Sequence, residues 1–454
     1  MSDTFETFRK EAAAKIQDTA LQKKIASAKK LYQNAFDASV TQFSNLETAR
    51  HRAAFIRWKS IEYLDKFLIQ FEAAFIKSGG KVIWAQDAAE ACSEIMGIIL
   101  KSGANSIVKS KSLTSDEIGL GKELQKGNKT WTETDLGQYI LQLSGEEPSH
   151  MVMPALHKSA EDVHQVFNEM TTSEPEALSA FAAKILREKY LAPDIGITGA
   201  NFLVADQGAV AITENEGNVM LAATRPKIHI VVAGIDKIIP TLQDLHILWP
   251  LLSNFGTGQK ITAYNSILWG PCKNGEADGP SQMYVVLIDN GRTKVIADER
   301  QRSIMSCIRC GACLYADPVY SVIGGHPYHS SRMGPPATVV NPIMKGMKTH
   351  AFMSDLSTLS AADTECCPVN INFNKLLLDN RKKNVEQDGK AATEKLFYFL
   401  WKNAMLKRDG AKWKSIRPRK YFINTIFFDS PMGLRSMKTA AKESFNELWK
   451  KRLG

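Results

Sequence analysis

The sequence predicts an α/β domain followed by an all-helical segment that carries most of the cysteines. Between residues 81 and 300, short β-rich runs alternate with helix-length amphipathic stretches. Such alternation predicts a parallel or mixed sheet covered by helices. Five of the seven cysteines fall within residues 307–367, with helical spacing between them. A clustered, odd number of cysteines favours metal binding over disulfides.

The chain has 454 residues, which is more than one compact core usually serves. We predict four segments along it. These are an N-terminal helical segment (1–80), an α/β domain (81–300), a helical cysteine-bearing segment (301–380) and a basic helical tail (381–454). Hydrophobic residues make up 44% and charged residues 23%, as in ordinary globular proteins.

The N-terminal segment has apolar residues at three- and four-residue steps, which predicts a helix with one face toward the core. The residues of this face are Phe55, Trp58, Ile61, Leu64, Leu68, Phe71 and Phe75. The helix is expected to stop at Ser78–Gly80.

Five short runs in the α/β domain predict strands, and two longer stretches predict helices. The strands are Lys81–Ala85, Ser106–Lys109, Ile228–Ile235, Lys260–Tyr264 and Met283–Ile288, and the helices are Ala88–Lys101 and Glu174–Tyr190. The run Ile228–Ile235 is apolar throughout, which is typical of a strand buried on both faces.

The net charge of +9 belongs to the tail. Residues 381–454 hold 19 Lys and Arg against 7 Asp and Glu, a balance of +12, so the remainder carries about −3. The body offers no basic stripe, so no nucleic-acid partner is expected. The basic, aromatic-rich tail is expected to dock on a partner subunit. An anionic membrane surface is the alternative.

No apolar run is long enough for a spanning helix, and the N-terminus lacks the apolar stretch of a secretory signal. We therefore expect a cytoplasmic protein, with peripheral contact at the inner membrane face if the tail binds lipid.

Three cysteines follow the spacing C-x2-C-x2-C, and a fourth precedes a proline. These are Cys307, Cys310, Cys313 and Cys367. The bacterial ferredoxin run continues to a C-P pair whose cysteine ligates the other cluster. The four cysteines therefore predict one [4Fe-4S] cluster, with iron as the metal. A structural zinc site is the alternative, although zinc sites more often use two C-x2-C pairs.

A second cluster would need cysteines at three further positions, which hold Asp317, Ser360 and Asp363 instead. Three oxygen ligands suit a sulfide cluster poorly. The pattern thus predicts a two-cluster framework that has lost one cluster. Cys366 is off the spacing and is expected to be a bystander, and Cys92 and Cys272 to be incidental thiols.

Four other polar features have two interpretations each. The loop Lys109–Ser112 would suit an anion, or simply cap a helix. The turn Gly196–Asn201 lies near a strand end, where open α/β sheets bind ligands; alternatively, its glycines allow tight packing of the chain. The polar residues Glu214–Asn218 either serve catalysis or form a surface turn. His326 either donates a hydrogen bond that tunes the potential of the iron–sulfur cluster or has a structural packing role. No catalytic residue is assigned.

The chain resembles the lactate-utilisation protein B family, the iron–sulfur subunit of a bacterial L-lactate oxidation system. The resemblance runs from about residue 50 to 380. The stretches that carry it are Lys109–Gly119, Glu133–His150, Gly196–Gly217, Pro226–Thr241, Gly256–Gly270, Asp289–Arg292, Cys307–Cys313 and Ile323–His326. The chain departs from the family pattern at Asp317, Ser360 and Asp363, where the family has cysteines.

This resemblance implies a sugar-isomerase or CoA-transferase-like α/β domain followed by a ferredoxin-like helical segment. It also implies two partner subunits, with this chain passing electrons as L-lactate is oxidised to pyruvate, and without catalysis of its own. A second hypothesis is an α/β-domain enzyme on a phosphorylated or carboxylated metabolite, with a structural or sensing cluster. A third is a scaffold that has lost its redox role.

Overall fold

The computed structural model describes residues 3–191 and 193–388, together with 395–396, 398–399, 402–403 and 445–453. The chain forms two units, Met1–Asn384 and Val385–Gly454. Within the second unit a helix spans Phe445–Leu453. Most of the predicted basic helical tail lies outside the described residues. The first unit contains every site considered below.

Helices occupy much of the first unit. The α-helices are α1 Asp3–Ile16, α2 Thr19–Ser39, α3 Leu46–Glu62, α4 Leu64–Lys77, α5 Ala88–Ser102, α6 Leu113–Glu117, α7 Leu120–Lys126, α8 Leu136–Ser144, α9 Ala160–Val166, α10 Pro175–Leu191, α11 Asn218–Thr224, α12 Leu245–Thr257, α13 Arg292–Ile296, α14 Ala312–Ala316, α15 Tyr320–Ile323, α16 Gly334–Met344, α17 Met347–His350, α18 Ala362–Glu365 and α19 Phe373–Asp388. Short 3-10 helices span Val40–Gln42, Ile235–Lys237, Leu242–Asp244, Arg302–Ser306, His326–Tyr328 and Ala351–Asp355.

The strands form two sheets. They are β1 Lys81–Ala85, β2 Ser106–Lys109, β3 Thr130–Glu133, β4 Ile195–Thr198, β5 Phe202–Val204, β6 Ala209–Glu214, β7 Ile228–Gly234, β8 Ile238–Ile239, β9 Tyr264–Leu268 and β10 Gln282–Ile288. The larger sheet has the order β1-β10-β7-β4-β2-β3, and all its strands are parallel. The smaller sheet has the order β8-β5-β6-β9.

The larger sheet is buried on both faces, as the apolar sequence of its central strand predicts. In β7, Ile230 and Val232 join one core with helices α5 and α7. Their neighbours Val231 and Ala233 join a second core with the aromatic residues of α4. Alternate residues of a strand point to opposite faces, so an apolar run supplies both cores at once.

The smaller sheet connects the α/β domain to the cysteine-bearing segment. Leu203 of β5 packs into the core formed by α4 and the larger sheet. Its neighbours Phe202 and Val204 pack into another core, which includes Cys310, Cys313 and Cys367. The two faces of one short strand therefore join the sheet to the segment that holds the cysteines.

The order of the strands creates a switch point between β2 and β4. The strand that follows β2 is β3, on its outer side, whereas the next strand of this sheet after β4 is β7, on the opposite side. Open α/β sheets bind ligands at the carboxyl ends of the strands that flank such a point. The segments after β2 and β4 are therefore the first place to look for a ligand site.

Most of the predicted elements are present, with two corrections. The strand predicted at Lys260–Tyr264 is wrong, because β9 begins at Tyr264 and runs to Leu268. The predicted single helical face is wrong in its first half, because the helix breaks at Tyr63 between α3 and α4. Phe55 and Trp58 stack on each other at the surface, 61% and 48% exposed. The predicted end of the helix at Ser78–Gly80 is confirmed, because α4 ends at Lys77.

Between residues 301 and 388 the described elements are α-helices and 3-10 helices joined by loops. The ferredoxin likeness of this segment stays a prediction. Its helices pack with α3 and α12 into a core that surrounds the cysteines.

A buried ionic network joins this segment to the sheet. Arg292 is fully buried and makes two bonds to Glu117, at 2.8 and 3.0 Å, and one to Asp236. Arg309 lies 3.4 Å from Asp236, and Arg332 lies 3.1 Å from Glu117. Burial alone would raise the pKa of both carboxyl groups, but the arginines lower it, so both remain charged.

Replacing Arg292 should therefore destabilise the fold. We predict that Arg292→Met lowers the free energy of unfolding by about 3–5 kcal/mol, because it removes the one arginine that pairs with both buried carboxylates. Urea denaturation followed by circular dichroism measures this.

Arg300→Met is the matched control, because Arg300 is 60% exposed and lies 3.9 Å from Asp379. It should change the free energy of unfolding by less than about 0.5 kcal/mol. Equal stability of the two variants would show that the buried network does not hold the segments together.

Candidate functional site

Cys307 and Cys310 lie on a tight loop between a 3-10 helix and α14, and Cys313 lies in the first turn of α14. Arg309 and Gly311 adopt left-handed φ values of 59° and 84°, which turn the chain back on itself between the cysteines. The backbone N–H of Arg309 donates to Sγ of Cys307 at 3.4 Å. Cys310 and Cys313 are buried, and Cys307 is partly exposed.

A second loop, between α18 and α19, brings Cys366 and Cys367 to the first. Burial, together with the charges of Cys367, Cys307 and Cys366, raises the pKa of Cys310 well above its ordinary value. Burial, followed by the charge of Cys366, likewise raises the pKa of Cys313 well above its ordinary value. The four predicted ligands therefore lie together. Cys366 also belongs to this group, although the sequence spacing set it aside.

Cations surround the thiols. Arg50 donates to the carbonyl oxygen of Cys367 at 2.8 and 3.1 Å, and its charge lowers the pKa of Cys366 and Cys367 against burial, which raises both to about 12. Arg57 is fully buried and donates to the carbonyl of Ser306 at 3.2 Å. The backbone N–H groups of Ile371 and Val369 also lower the pKa of Cys367 against burial. Cations and N–H donors both stabilise anionic sulfur.

Asp317 and Asp363, two of the three positions without a cysteine, lie close enough for their charges to interact. Asp317 is 7% exposed and accepts a bond from the Val319 N–H at 3.0 Å. Burial raises its pKa to about 6, and the charge of Asp363 adds to this. Asp363 is buried and its Oδ1 accepts the N–H of Thr364 at 2.9 Å, whereas Ser360 is exposed. These side chains are bonded to the backbone near them.

In the part of the chain that the structure describes, no group of three or more His, Cys, Asp or Glu is arranged to hold a single metal ion. Cys92 bonds to the carbonyl of Ile118 at 3.4 Å within the sheet core. Cys272 lies on a partly exposed loop. His326 bonds to the carbonyl of Glu147 at 2.9 Å and packs against His157. Both interactions fit the structural interpretation of this histidine.

A cleft of about 380 Å³ opens beside the cysteine loop, at the switch point of the sheet. Three polar features of the sequence converge on it from separate elements. Its walls include Ser110, Lys111, Ser112, Leu113, Thr114, Asp135, Met151, Val152, Met153, Gly199, Ala200, Asn201, Ile212, Thr213, Glu214, Asn215, Glu216, Asn218, Val219, Lys237, Leu252, Ser253, Gly256, Thr257, Thr262, Ile308, Arg309 and Cys310. Sequence reasoning missed Lys237, because nothing in its local pattern marks it.

Close packing of two loops forms the floor of the cleft. A Cβ atom at Gly199 would lie 2.7 Å from the Oγ of Ser112, so only glycine allows the loops after β2 and β4 to approach this closely. Lys109 points elsewhere, into a buried pair with Glu133 at 2.6 Å. Of the two lysines in the predicted loop, only Lys111 borders the cleft.

Cationic and acidic side chains both line the cleft, and Lys111 lies close enough to Asp135 and Glu216 for their charges to act on its pKa, which burial lowers. Burial, with the charge of Arg309, lowers the pKa of Lys237 to about 7. Burial, with the charge of Asp135, raises the pKa of Glu216 to about 7. Glu214 accepts bonds from the N–H groups of Val219 and Met220, at 2.7 and 2.8 Å. The polar cluster after β6 is thus a wall of the cleft.

The LUD domain family matches residues 68–288. Lactate utilization protein B of Anoxybacillus flavithermus is 37% identical over 453 residues, 96% of each chain. Lactate utilization protein B of Bacillus subtilis is 41% identical over 382 residues, 82% of this chain and 80% of the relative. This chain belongs to the lactate utilization protein B family.

A third family relative extends the likeness into the tail. The "uncharacterized electron transport protein YkgF" of Escherichia coli is 35% identical over 458 residues, covering 98% of this chain and 96% of the relative. A solved DUF162 family protein from Deinococcus radiodurans covers 50% of this chain and 98% of its own, at 13% identity and a TM-score of 0.29.

The LUD domain of this lactate utilization protein B homologue contains most of the cleft, from Ser110 to Thr262, and ends before the cysteine loop. The cleft therefore lies between the LUD domain and the segment that follows it. None of the described helices is long and apolar enough to cross a membrane.

The buried carboxyl of Asp317 yields a prediction on pH. Its pKa is raised from an ordinary 3.8 to about 6, so its contribution to stability is present below about pH 4 and is lost as the pH rises through 6. Asp317→Asn should therefore stabilise the protein at pH 8, by on the order of 2 kcal/mol, and give little change near pH 4. Melting temperatures at the two pH values measure this.

Asp278→Asn, on an exposed loop, serves as the control and should leave the melting temperature unchanged at both pH values. If Asp317→Asn destabilised the protein at pH 8, its carboxylate would have a charged partner or a bound cation.

Proposed function

We propose that this protein is an electron-transfer subunit in lactate utilisation, with one [4Fe-4S] cluster held by Cys307, Cys310, Cys313 and Cys367. The observation that carries the proposal is the convergence of these thiols from two separate loops, within a ring of cations. A cubane cluster takes one thiolate for each iron atom, so its ligands need not converge on a single point. When bound, it would accept and release one electron at a time.

The charges around the thiols suit such a group. A cluster with four thiolates is anionic, and Arg50 and Arg57 face the cysteines from α3. Lys237 and Arg309 approach from the sheet side. Arg50 and Arg309 also pair with Glu47 and Asp236, so an anionic cluster would add to the counter-charges of these cations.

The names of the relatives give the biological context. Several are called lactate utilization protein B, and one is called an electron transport protein. We infer that this chain works with partner subunits in oxidising L-lactate to pyruvate and passes electrons between them. The loss of cysteines at 317, 360 and 363 predicts that its route contains one cluster rather than two.

The adjacent cysteines provide a matched pair of variants. Anaerobically purified wild type should contain about four iron and four sulfide per chain, with an EPR signal after dithionite reduction. Cys367→Ser should lose most of the iron and the signal, because it removes a ligand. Cys366→Ser should keep both, because its sulfur lies beside the cluster without ligating it.

Each other result has a distinct meaning. Loss of iron in Cys366→Ser alone would reassign the fourth ligand. About eight iron per chain would mean that a second cluster survives at Asp317, Ser360 and Asp363. Zinc in place of iron would overturn the electron-transfer role.

A further inference from the structure

Arg309 has a backbone conformation that favours glycine. Its φ of 59° lies in the left-handed region, which most residues with a side chain avoid. The same loop has a second left-handed position, and there Gly311 occupies it with a φ of 84°. The turn between Cys307 and Cys310 therefore needs this conformation, but it does not need an arginine. Strain of this kind is a reason to look for a role of the side chain.

The side chain of Arg309 extends from the cysteine loop to the edge of the sheet and is 7% exposed. Its guanidinium group lies 3.4 Å from Oδ2 of Asp236 and 3.5 Å from Oγ1 of Thr114. Asp236 also pairs with the fully buried Arg292. Because this carboxylate has a counter-charge without Arg309, the pairing alone does not explain an arginine at a strained position.

Positive charge is concentrated around Cys307. Burial, followed by the charge of Arg309, lowers the pKa of Lys237 to about 7. The charges of Asp236 and Cys307 act on the same ammonium group in the opposite direction. Arg57, whose pKa burial lowers to about 10, also feels the charges of Cys307 and Arg309. Three cations and one carboxylate therefore share a small buried region with Cys307.

The surroundings of Cys310 and Cys313 are different. After burial, the charges that act most on the pKa of Cys313 are those of the other cysteines. Of the cations around Cys307, Arg309 is the one that belongs to the cysteine loop, and its backbone N–H donates to the Cys307 sulfur at 3.4 Å. Arg309 is thus the cation whose position is tied most directly to a predicted ligand.

We propose that the charge of Arg309 raises the reduction potential of the cluster held by Cys307, Cys310, Cys313 and Cys367. The inference rests on the proposed electron-transfer role and deepens it. Reduction adds one electron to the cluster, with no bond broken and no proton transferred, so it adds one negative charge. A fixed cation in a buried position stabilises this added charge more than an exposed one would. Arg309 therefore acts as a positioning residue for charge beside the cluster.

The test is a redox titration of the full-length, anaerobically purified protein, with dithionite as the reductant and EPR as the readout. Arg309→Gly is the informative variant, because glycine suits the left-handed backbone and keeps the N–H that donates to Cys307. It removes the side chain and its charge. We expect the ratio of reduced to oxidised cluster at a fixed potential to fall about tenfold, which is a midpoint about 59 mV lower for a one-electron couple.

A second pair of variants separates charge from backbone strain. Arg309→Lys and Arg309→Gln both keep a side chain at the left-handed position, but only the lysine is charged. Arg309→Lys should keep most of the wild-type midpoint, and Arg309→Gln should lower it as Arg309→Gly does. Arg300→Met is the control, because it removes a charge that is 60% exposed, and it should leave the midpoint unchanged. All four variants should bind as much iron as wild type.

Three results would contradict the proposal. They are an unchanged midpoint in both Arg309→Gly and Arg309→Gln, an equal fall in Arg309→Lys and Arg309→Gln, and loss of iron in Arg309→Gly. The last result would mean that the side chain holds the loop together. A wild-type protein without a reducible cluster would sink the electron-transfer role and this inference with it. A reducible cluster with the same midpoint in all variants would sink the inference alone.

Discussion

The buried ionic network around Arg292 is the constraint on which the arrangement of the sites depends. Arg292 joins Glu117 at the end of α6 to Asp236 after β7, so it holds together two segments at the carboxyl edge of the sheet. Arg309 joins the same Asp236 from the cysteine loop. These groups are charged and buried, and their pairing therefore fixes the loop against the sheet within narrow limits.

The cysteine site and the cleft share this support. Arg309 lies between Cys307 and Cys310, contacts Asp236 and borders the cleft. Lys237 follows Asp236 directly, borders the cleft and feels the charge of Cys307. A ligand in the cleft and a cluster at the thiols would thus lie on either side of the same few charged residues.

Much of the fold follows from local sequence pattern. The strands β1 and β2 and the helices α5 and α10 were predicted within a residue or so, because their apolar periodicity is strong. The strands β3, β4 and β5 were missed, since three or four residues carry too little pattern, and the six-residue β6 was missed as well. The helical face through Phe55 and Trp58 was misjudged because the break at Tyr63 carries no glycine or proline signal.

The sequence by itself determined the family and the absence of cysteines at 317, 360 and 363, and it predicted which cysteines would lie together. Each of these is a matter of residue type at fixed spacing. Only the tertiary structure decided that the loops after β2 and β4 and the polar cluster after β6 form one cleft. It alone showed that Cys366 joins the thiols and that Lys237 lines the cleft. Burial and pairing depend on residues far apart along the chain, and no local pattern records them.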